Sequence, residues 1–151
     1  MFKKPNQLVG YVFGATFILL GVLGFPVTGE HHFAGPHGGQ LLGIFEVNML
    51  HNIVHLTAGT VLILGAMAGE AVSSKVNTIL GGVYIVAATT GLLIAGSSMN
   101  LLALNLADNI VHLANGITLL TIGLVGGRLV RRRADAPTAQ RAQVTAAQRT
   151  R

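Results

Sequence analysis

Four long apolar stretches alternate with short polar segments along the chain. They run over about residues 8–28, 49–69, 76–97 and 106–130. A membrane-spanning helix needs about 20 consecutive apolar residues, and each stretch is long enough. The pattern therefore predicts an all-α membrane protein, in which residues 1–130 form a bundle of four transmembrane helices.

The segments between the stretches carry their own expectations. LLGIFEVN (41–48) is too short to span, so we predict an interfacial or re-entrant piece on the bundle mouth, with Glu46 facing water or capping a neighbouring helix. The loop GEHHFAGPHGGQ (29–40) carries His31, His32 and His37, which we expect to be solvated. Residues 131–151 are rich in Ala, Gln, Thr and Arg, and we predict a basic, disordered cytoplasmic tail.

The positive charges predict the orientation. The chain has ten Lys and Arg residues, all of them before the first stretch, between the second and third, or from the end of the fourth onward. If the N-terminus lies inside, all ten lie inside, as the positive-inside rule requires. We therefore expect a multi-pass protein of the bacterial cytoplasmic membrane with both termini in the cytoplasm, where its basic ends contact anionic lipid and not nucleic acid.

The N-terminal stretch has a second interpretation as a signal peptide, because Lys3 and Lys4 precede it. Its apolar run of about 20 residues exceeds the usual 7–15, and no A-x-A-like site follows. We therefore expect a retained helix.

Composition narrows the chemistry. The absence of cysteine excludes disulfides, thiolate metal sites and a cysteine nucleophile. The sequence also shows no nucleophile–base pair, phosphate loop or dinucleotide fingerprint, so an enzyme is not indicated. The abundant glycines, including Gly10 and Gly14, are typical of closely packed membrane helices.

A duplication is the clearest pattern in the chain. NMLHNIVHLTAG (48–59) and NLADNIVHLANG (105–116) are identical at seven of twelve positions without a gap. The chain therefore looks like two helical hairpins in parallel orientation, related by a pseudo-two-fold axis along the membrane normal. The second and fourth helices would then turn equivalent faces toward that axis.

Both copies carry a polar stripe, which allows a structural role. The shared stripe consists of Asn48, Asn52, His55 and Gly59 in the first copy and of Asn105, Asn109, His112 and Gly116 in the second. Asn48 and Asn105 are good helix N-caps, and Asp108 would then lie at a favourable position in the first turn. The asparagines and histidines could form a structural network of hydrogen bonds between the second and fourth helices.

The same stripe also allows a ligand site. His51 lies four residues before His55, and Asp108 four before His112, so each pair can approach one ion. His51, His55, Asp108 and His112 together suit zinc or another divalent first-row metal. A haem between His55 and His112, with room left by Gly59 and Gly116, is an alternative. A proton or small-solute path is a further one and would require oligomerisation.

Three segments resemble a known family. GVLGFP (21–26), LLGIFEVNMLHNIVHLTAG (41–59) and LNLADNIVHLANG (104–116) are similar to a bacterial family of small four-helix membrane proteins catalogued as a domain of unknown function. The resemblance covers about residues 5–130, and its motif positions match at His51, His55, Asp108 and His112. It implies a four-helix membrane fold and no established activity.

These observations lead to two hypotheses about function. The first is a non-enzymatic structural or accessory component of a larger membrane complex or homo-oligomer, with the polar cluster serving as a link between helices. The alternative is a metal- or haem-binding membrane protein in which the cluster is the working site.

Overall fold

The computed structural model describes the backbone of residues 4–149 and the side chains of residues 4–132. It contains four helices and one small sheet, namely α1 (Pro5–Thr28), β1 (Gly39–Leu41), β2 (Phe45–Val47), α2 (Met49–Met67), α3 (Glu70–Leu93) and α4 (Leu106–Arg149). All four helices are long and apolar enough to cross a membrane, with Leu106–Arg132 as the spanning part of α4. Large apolar side chains are exposed along them, as in a multi-pass membrane protein.

The third helix differs from its predicted bounds at both ends, beginning at Glu70 instead of residue 76 and ending at Leu93 instead of residue 97. Gly69 makes the turn after α2 with a φ of 108°, which favours glycine, so no longer loop is needed. The charges in 70–75 are compatible with a first helical turn because Glu70 bonds to α1 and Lys75 is exposed.

The fourth helix continues past the predicted end of its apolar stretch to Arg149. Side chains from residue 133 onward lie outside the described part of the structure. The disorder predicted for 131–151 therefore stays a prediction.

The segment predicted as an interfacial or re-entrant piece forms an antiparallel β-hairpin. Gly39 pairs with Val47 and Leu41 pairs with Phe45, around a turn in which Leu42 and Gly43 have positive φ. The strands contact α1 and α4, and Leu41 and Val47 are buried. The hairpin therefore lies across one end of the bundle.

Glycines hold the helices together in two pairs. A Cβ on Gly59 of α2 would lie 2.7 Å from the carbonyl oxygen of Gly14 in α1. A Cβ on Gly116 of α4 would lie 2.9 Å from the carbonyl oxygen of Gly81 in α3. Such close backbone approach is typical of small residues in membrane helices. The α1–α2 and α3–α4 interfaces are the most extensive in the molecule.

A buried core joins the two pairs. Phe17 of α1 stacks on Tyr84 of α3, with ring centroids 4.9 Å apart and planes 5° apart. Ala58, Leu62 and Leu119 complete this cluster.

At the end of the bundle opposite the hairpin lie a polar network around Glu70 and the basic residues whose side chains the structure describes. Glu70 Oε1 accepts from the backbone N–H and side-chain amide of Asn6, and Oε2 accepts from the N–H of Gln7. The carboxylate therefore caps the otherwise unpartnered N-terminus of α1. The exposed cations with described side chains all belong to this end, and they are Lys4, Lys75, Arg128, Arg131 and Arg132.

Candidate functional site

Helix caps position the polar residues of α2 and α4. Asn48 Oδ1 accepts from the backbone N–H of His51, and Asn105 Oδ1 accepts from that of Asp108, each at 2.9 Å. These caps confirm that both helices begin at the predicted asparagines. His55 lies about 9 Å below the start of α2, inside the apolar part of the bundle.

Three imidazoles converge between α2 and α4. His51, His55 and His112 each offer a ring nitrogen, and these nitrogens all lie within 4.8 Å of one another. His55 Nε2 and His112 Nε2 lie 3.3 Å apart. The ring centroids are separated by 4.8 to 5.5 Å. The structure thus brings together three of the four residues predicted as metal ligands.

The imidazoles are buried, with exposed fractions of 2%, 9% and 8% for His51, His55 and His112. The Nδ1 atom of each ring is buried and has no hydrogen-bond partner among the described residues. Buried polar atoms are almost always paired, so three unpartnered nitrogens in one cluster call for a chemical explanation.

Two aromatic rings, one from α1 and one from α3, pack against the imidazoles. Phe17 packs edge-on against His55 at 5.3 Å, and Tyr84 packs edge-on against His112 at 5.1 Å. The Tyr84 hydroxyl is buried without a hydrogen-bond partner in the described part of the chain. Neither residue stands out in the sequence, because one aromatic side chain in an apolar stretch does not distinguish a core position from a lipid-facing one.

Asp108 lies beside the cluster but does not belong to the group of converging ligand atoms. Its Oδ2 accepts from the backbone N–H of Asn105 and from the backbone N–H of Glu46 in the hairpin, both at 3.1 Å. This carboxylate oxygen therefore caps α4 and attaches the hairpin to it. Asp108 also lines a cavity shared with the three imidazoles, which the hairpin covers with Leu41, Phe45 and Val47.

The hairpin carboxylate Glu46 turns toward the preceding loop. Its Oε1 accepts from the N–H of Gly38 at 3.0 Å and lies 3.9 Å from Nδ1 of His37. His31, His32 and His37 are exposed and do not belong to the converging group.

The asparagines predicted as an interhelical network face other partners. Asn52 donates to the Thr28 hydroxyl and packs against Gly24 of α1, while Asn109 packs against Gly91 of α3. No bond between an asparagine and a histidine side chain occurs among the described hydrogen bonds. Three residues along a helix correspond to about 300° of rotation, so an asparagine three before a histidine points about 60° away from it, toward the neighbouring helix.

The other two asparagines bind the loops and the hairpin that lie over the imidazoles. The Asn48 amide donates to the carbonyl oxygens of Gly35 and Leu101 in the two loops at this end. The Asn105 amide donates to the carbonyl oxygen of Ile44 in the hairpin turn. The caps of α2 and α4 thus also fix the segments above the imidazoles.

A haem does not fit this arrangement. The Nε2 atoms of His55 and His112 are in direct contact at 3.3 Å, and the rings of Phe17 and Tyr84 fill the adjacent space. Gly59 and Gly116, which were expected to leave room for a macrocycle, contact the backbones of α1 and α3 instead. Bis-histidine ligation would require the helix pairs to separate.

Comparison with known proteins identifies a family without a known activity. Residues 7–125 match the model of a family described as Domain of unknown function (DUF4383). Searches of curated proteins and of solved structures found no significant match.

Proposed function

Since this chain belongs to the DUF4383 family, which supplies no activity to transfer, we propose from the site alone that the protein binds a divalent first-row transition metal within the membrane. The convergence of His51, His55 and His112 carries this proposal. Zinc is the reference ion, because imidazole nitrogen is one of its preferred ligands. Ionisable residues inside a membrane are expensive, and a functional role is the first explanation for them.

The spacing of the ring nitrogens supports a tetrahedral ion. Zinc–nitrogen bonds of about 2.0–2.1 Å at the tetrahedral angle place two ligand nitrogens about 3.3–3.4 Å apart. The Nε2 atoms of His55 and His112 already have this separation, at 3.3 Å. The other nitrogen pairs are at most 4.8 Å apart, so closure around an ion needs side-chain movements of about an ångström.

The surroundings support an open site of moderate affinity. Three protein ligands leave a fourth position for water or another small ligand. Asp108 lines the same cavity, where its carboxylate form would offset the charge of the cation. Zinc-binding histidines usually donate their second N–H to an orienting group, and such partners are worth about 10–100-fold in affinity. The described residues provide none for the Nδ1 atoms of His55 and His112, so we expect weaker binding than at a structural zinc site.

Metal analysis tests the proposal. Detergent-purified protein, stripped with a chelator, equilibrated with zinc and desalted, is expected to retain one zinc ion per chain. Cobalt in place of zinc should give the visible absorption of a tetrahedral site. His55→Ala/His112→Ala should lose both signals, because two of the three ligands are gone.

The matched control is His31→Ala/His32→Ala, which removes two exposed histidines outside the cluster. It should bind like the wild type. Equal zinc loss in both variants, or no zinc in a correctly folded wild-type protein, contradicts the proposal.

A second candidate function is the non-enzymatic structural or accessory role. The observation that favours it is the 3.3 Å contact between His55 and His112, which is also compatible with a hydrogen bond joining α2 to α4. Such a bond leaves one buried Nδ1–H without a partner, because a neutral imidazole has one donor and one acceptor nitrogen. In this case the wild-type protein binds no metal, and His112→Ala lowers stability without changing metal content.

For topology, we propose two related helical hairpins with both termini on the cytoplasmic side of a bacterial inner membrane. The sequence repeat, the matching Gly14–Gly59 and Gly81–Gly116 contacts, and the basic residues at one end support this arrangement. A larger membrane complex or a homo-oligomer remains part of the structural alternative.

Cysteine labelling tests the topology, because the chain has no cysteine of its own. Ser98→Cys lies in the exposed loop at the imidazole end, and Ala71→Cys is exposed at the basic end. In intact bacterial cells, a membrane-impermeant maleimide should label the first variant and should reach the second only after permeabilisation. The reverse pattern shows the opposite orientation.

A further inference from the structure

A groove runs between α3 and α4 at the basic end of the bundle, far from the imidazole cluster. Its walls carry one cation from each helix, Lys75 and Arg131. Its floor includes Ser74 and Gly127. We refer to it as the α3–α4 groove. It shares no residue with the imidazole cluster.

Small residues create the groove. Ser74 donates to the carbonyl oxygen of Gly123 at 2.7 Å, and a Cβ on Gly127 would lie 2.8 Å from Ser74 Oγ. The helices therefore approach closely with little side-chain bulk between them. The long side chains of Lys75 and Arg131 stand above this shallow, polar floor.

The charge of the groove is positive. Of the four acidic residues with described side chains, Glu30, Glu46 and Asp108 lie at the opposite end of the bundle. The fourth, Glu70, directs both oxygens to the N-terminus of α1. No described carboxylate lines the groove.

The lining of the groove changes from basic to apolar along the helices, from the end of the bundle toward the middle of the membrane. Ile79 lies one helical turn, or about 6 Å, beyond Lys75, and Leu124 lies two turns, or about 10 Å, from Arg131. Both apolar side chains line the groove and are exposed, at 65% and 46%. A ligand that fits this gradient has an anionic head and an apolar tail, and it approaches from the lipid phase.

We propose that the α3–α4 groove binds one anionic phospholipid, with its phosphate between Lys75 and Arg131 and an acyl chain along Ile79 and Leu124. Basic pockets between membrane helices are known to take such head groups. The bound lipid would bridge the two helices at the membrane surface.

Native mass spectrometry with defined lipids tests this site on the full chain in detergent. The wild type should bind one phosphatidylglycerol more tightly than phosphatidylcholine. Lys75→Ala/Arg131→Ala should weaken phosphatidylglycerol binding by roughly tenfold or more, because both cations that line the groove are removed and a hydrogen bond to a charged group contributes about 1.5–3 kcal/mol. Lys75→Arg/Arg131→Lys keeps the charges and should retain binding, which guards against a folding defect.

The matched control is Lys4→Ala/Arg132→Ala, which removes two exposed cations from the same end but outside the groove. Its binding should stay within about twofold of the wild type, since neither side chain lines the groove and neither can contact a phosphate held between Lys75 and Arg131. Equal loss in both alanine variants shows general electrostatic attraction and overturns the proposal. Competition by millimolar inorganic phosphate identifies a simple anion site and overturns the assignment to a lipid.

Discussion

Replacing Gly81 with alanine is expected to destabilise the protein by about 2–3 kcal/mol, since overpacking a tight interface carries a cost of this size. The added Cβ would meet the backbone nitrogen of Leu120 and would lie 2.8 Å from the carbonyl oxygen of Gly116. Both obstacles are backbone atoms of α4, so the helices themselves must separate. That separation also displaces His112, which lies four residues before Gly116 on the same helix.

The neighbouring Gly82 provides the matched control, because a Cβ there has no heavy atom within 4 Å. Gly82→Ala should be neutral or stabilising by up to about 1 kcal/mol, as alanine is the better helix former. Reversible unfolding in mixed micelles, followed by circular dichroism, measures both free energies. Similar values for the two variants would show that α3 and α4 do not approach each other as closely as described.

The second large effect is expected at Glu70. Glu70→Gln should lower stability by about 1.5–3 kcal/mol, the range for a hydrogen bond to a charged group. An amide can still accept from Asn6, but its NH₂ group would face the N–H of Gln7, which now donates to Oε2 at 3.2 Å. The charge that favours the N-terminus of α1 is lost as well.

The same unfolding measurement checks this prediction against Glu30→Gln, an exposed acid at the other end of the bundle. The control should change stability by less than about 0.5 kcal/mol, as surface substitutions usually do. Zinc content should remain unchanged in both variants, because neither residue approaches the imidazoles. If Glu70→Gln leaves the stability unchanged, water and not the carboxylate must accept the hydrogen bonds of the first N–H groups of α1.

The helical architecture could be predicted because it depends on local sequence. Apolar runs of membrane-spanning length specify the four helices, and Asn48 and Asn105 mark two of their starts. The charges at Glu70 and Lys75 led us to predict a break over residues 70–75, whereas the break is only the short turn at Gly69 and α3 already begins at Glu70. Hydropathy does not show that a distant helix end binds the carboxylate of Glu70. The sequence of 41–48, an apolar segment with one acid, also does not show that this part of the chain folds into a β-hairpin.

The candidate site could be predicted in part. The repeated NIVHL motif brings His55 and His112 to equivalent positions, and the four-residue spacing adds His51. Asp108 was expected among the ligands, but its Oδ2 is taken by two backbone N–H groups. The aromatic wall of Phe17 and Tyr84 depends on how the helix pairs dock, which no local pattern contains.

The division of the cluster between the helix pairs has a consequence for biogenesis. His51 and His55 belong to the pair of α1 and α2, and His112 belongs to the pair of α3 and α4. Helices that insert into a membrane pack with their neighbours after insertion, and the extensive interface within each pair makes the two pairs natural early partners. The three imidazoles meet only when one pair docks on the other. If the proposed metal binds there, its capture would require that insertion and docking are both complete, and the ion would then link the two helix pairs of the mature bundle.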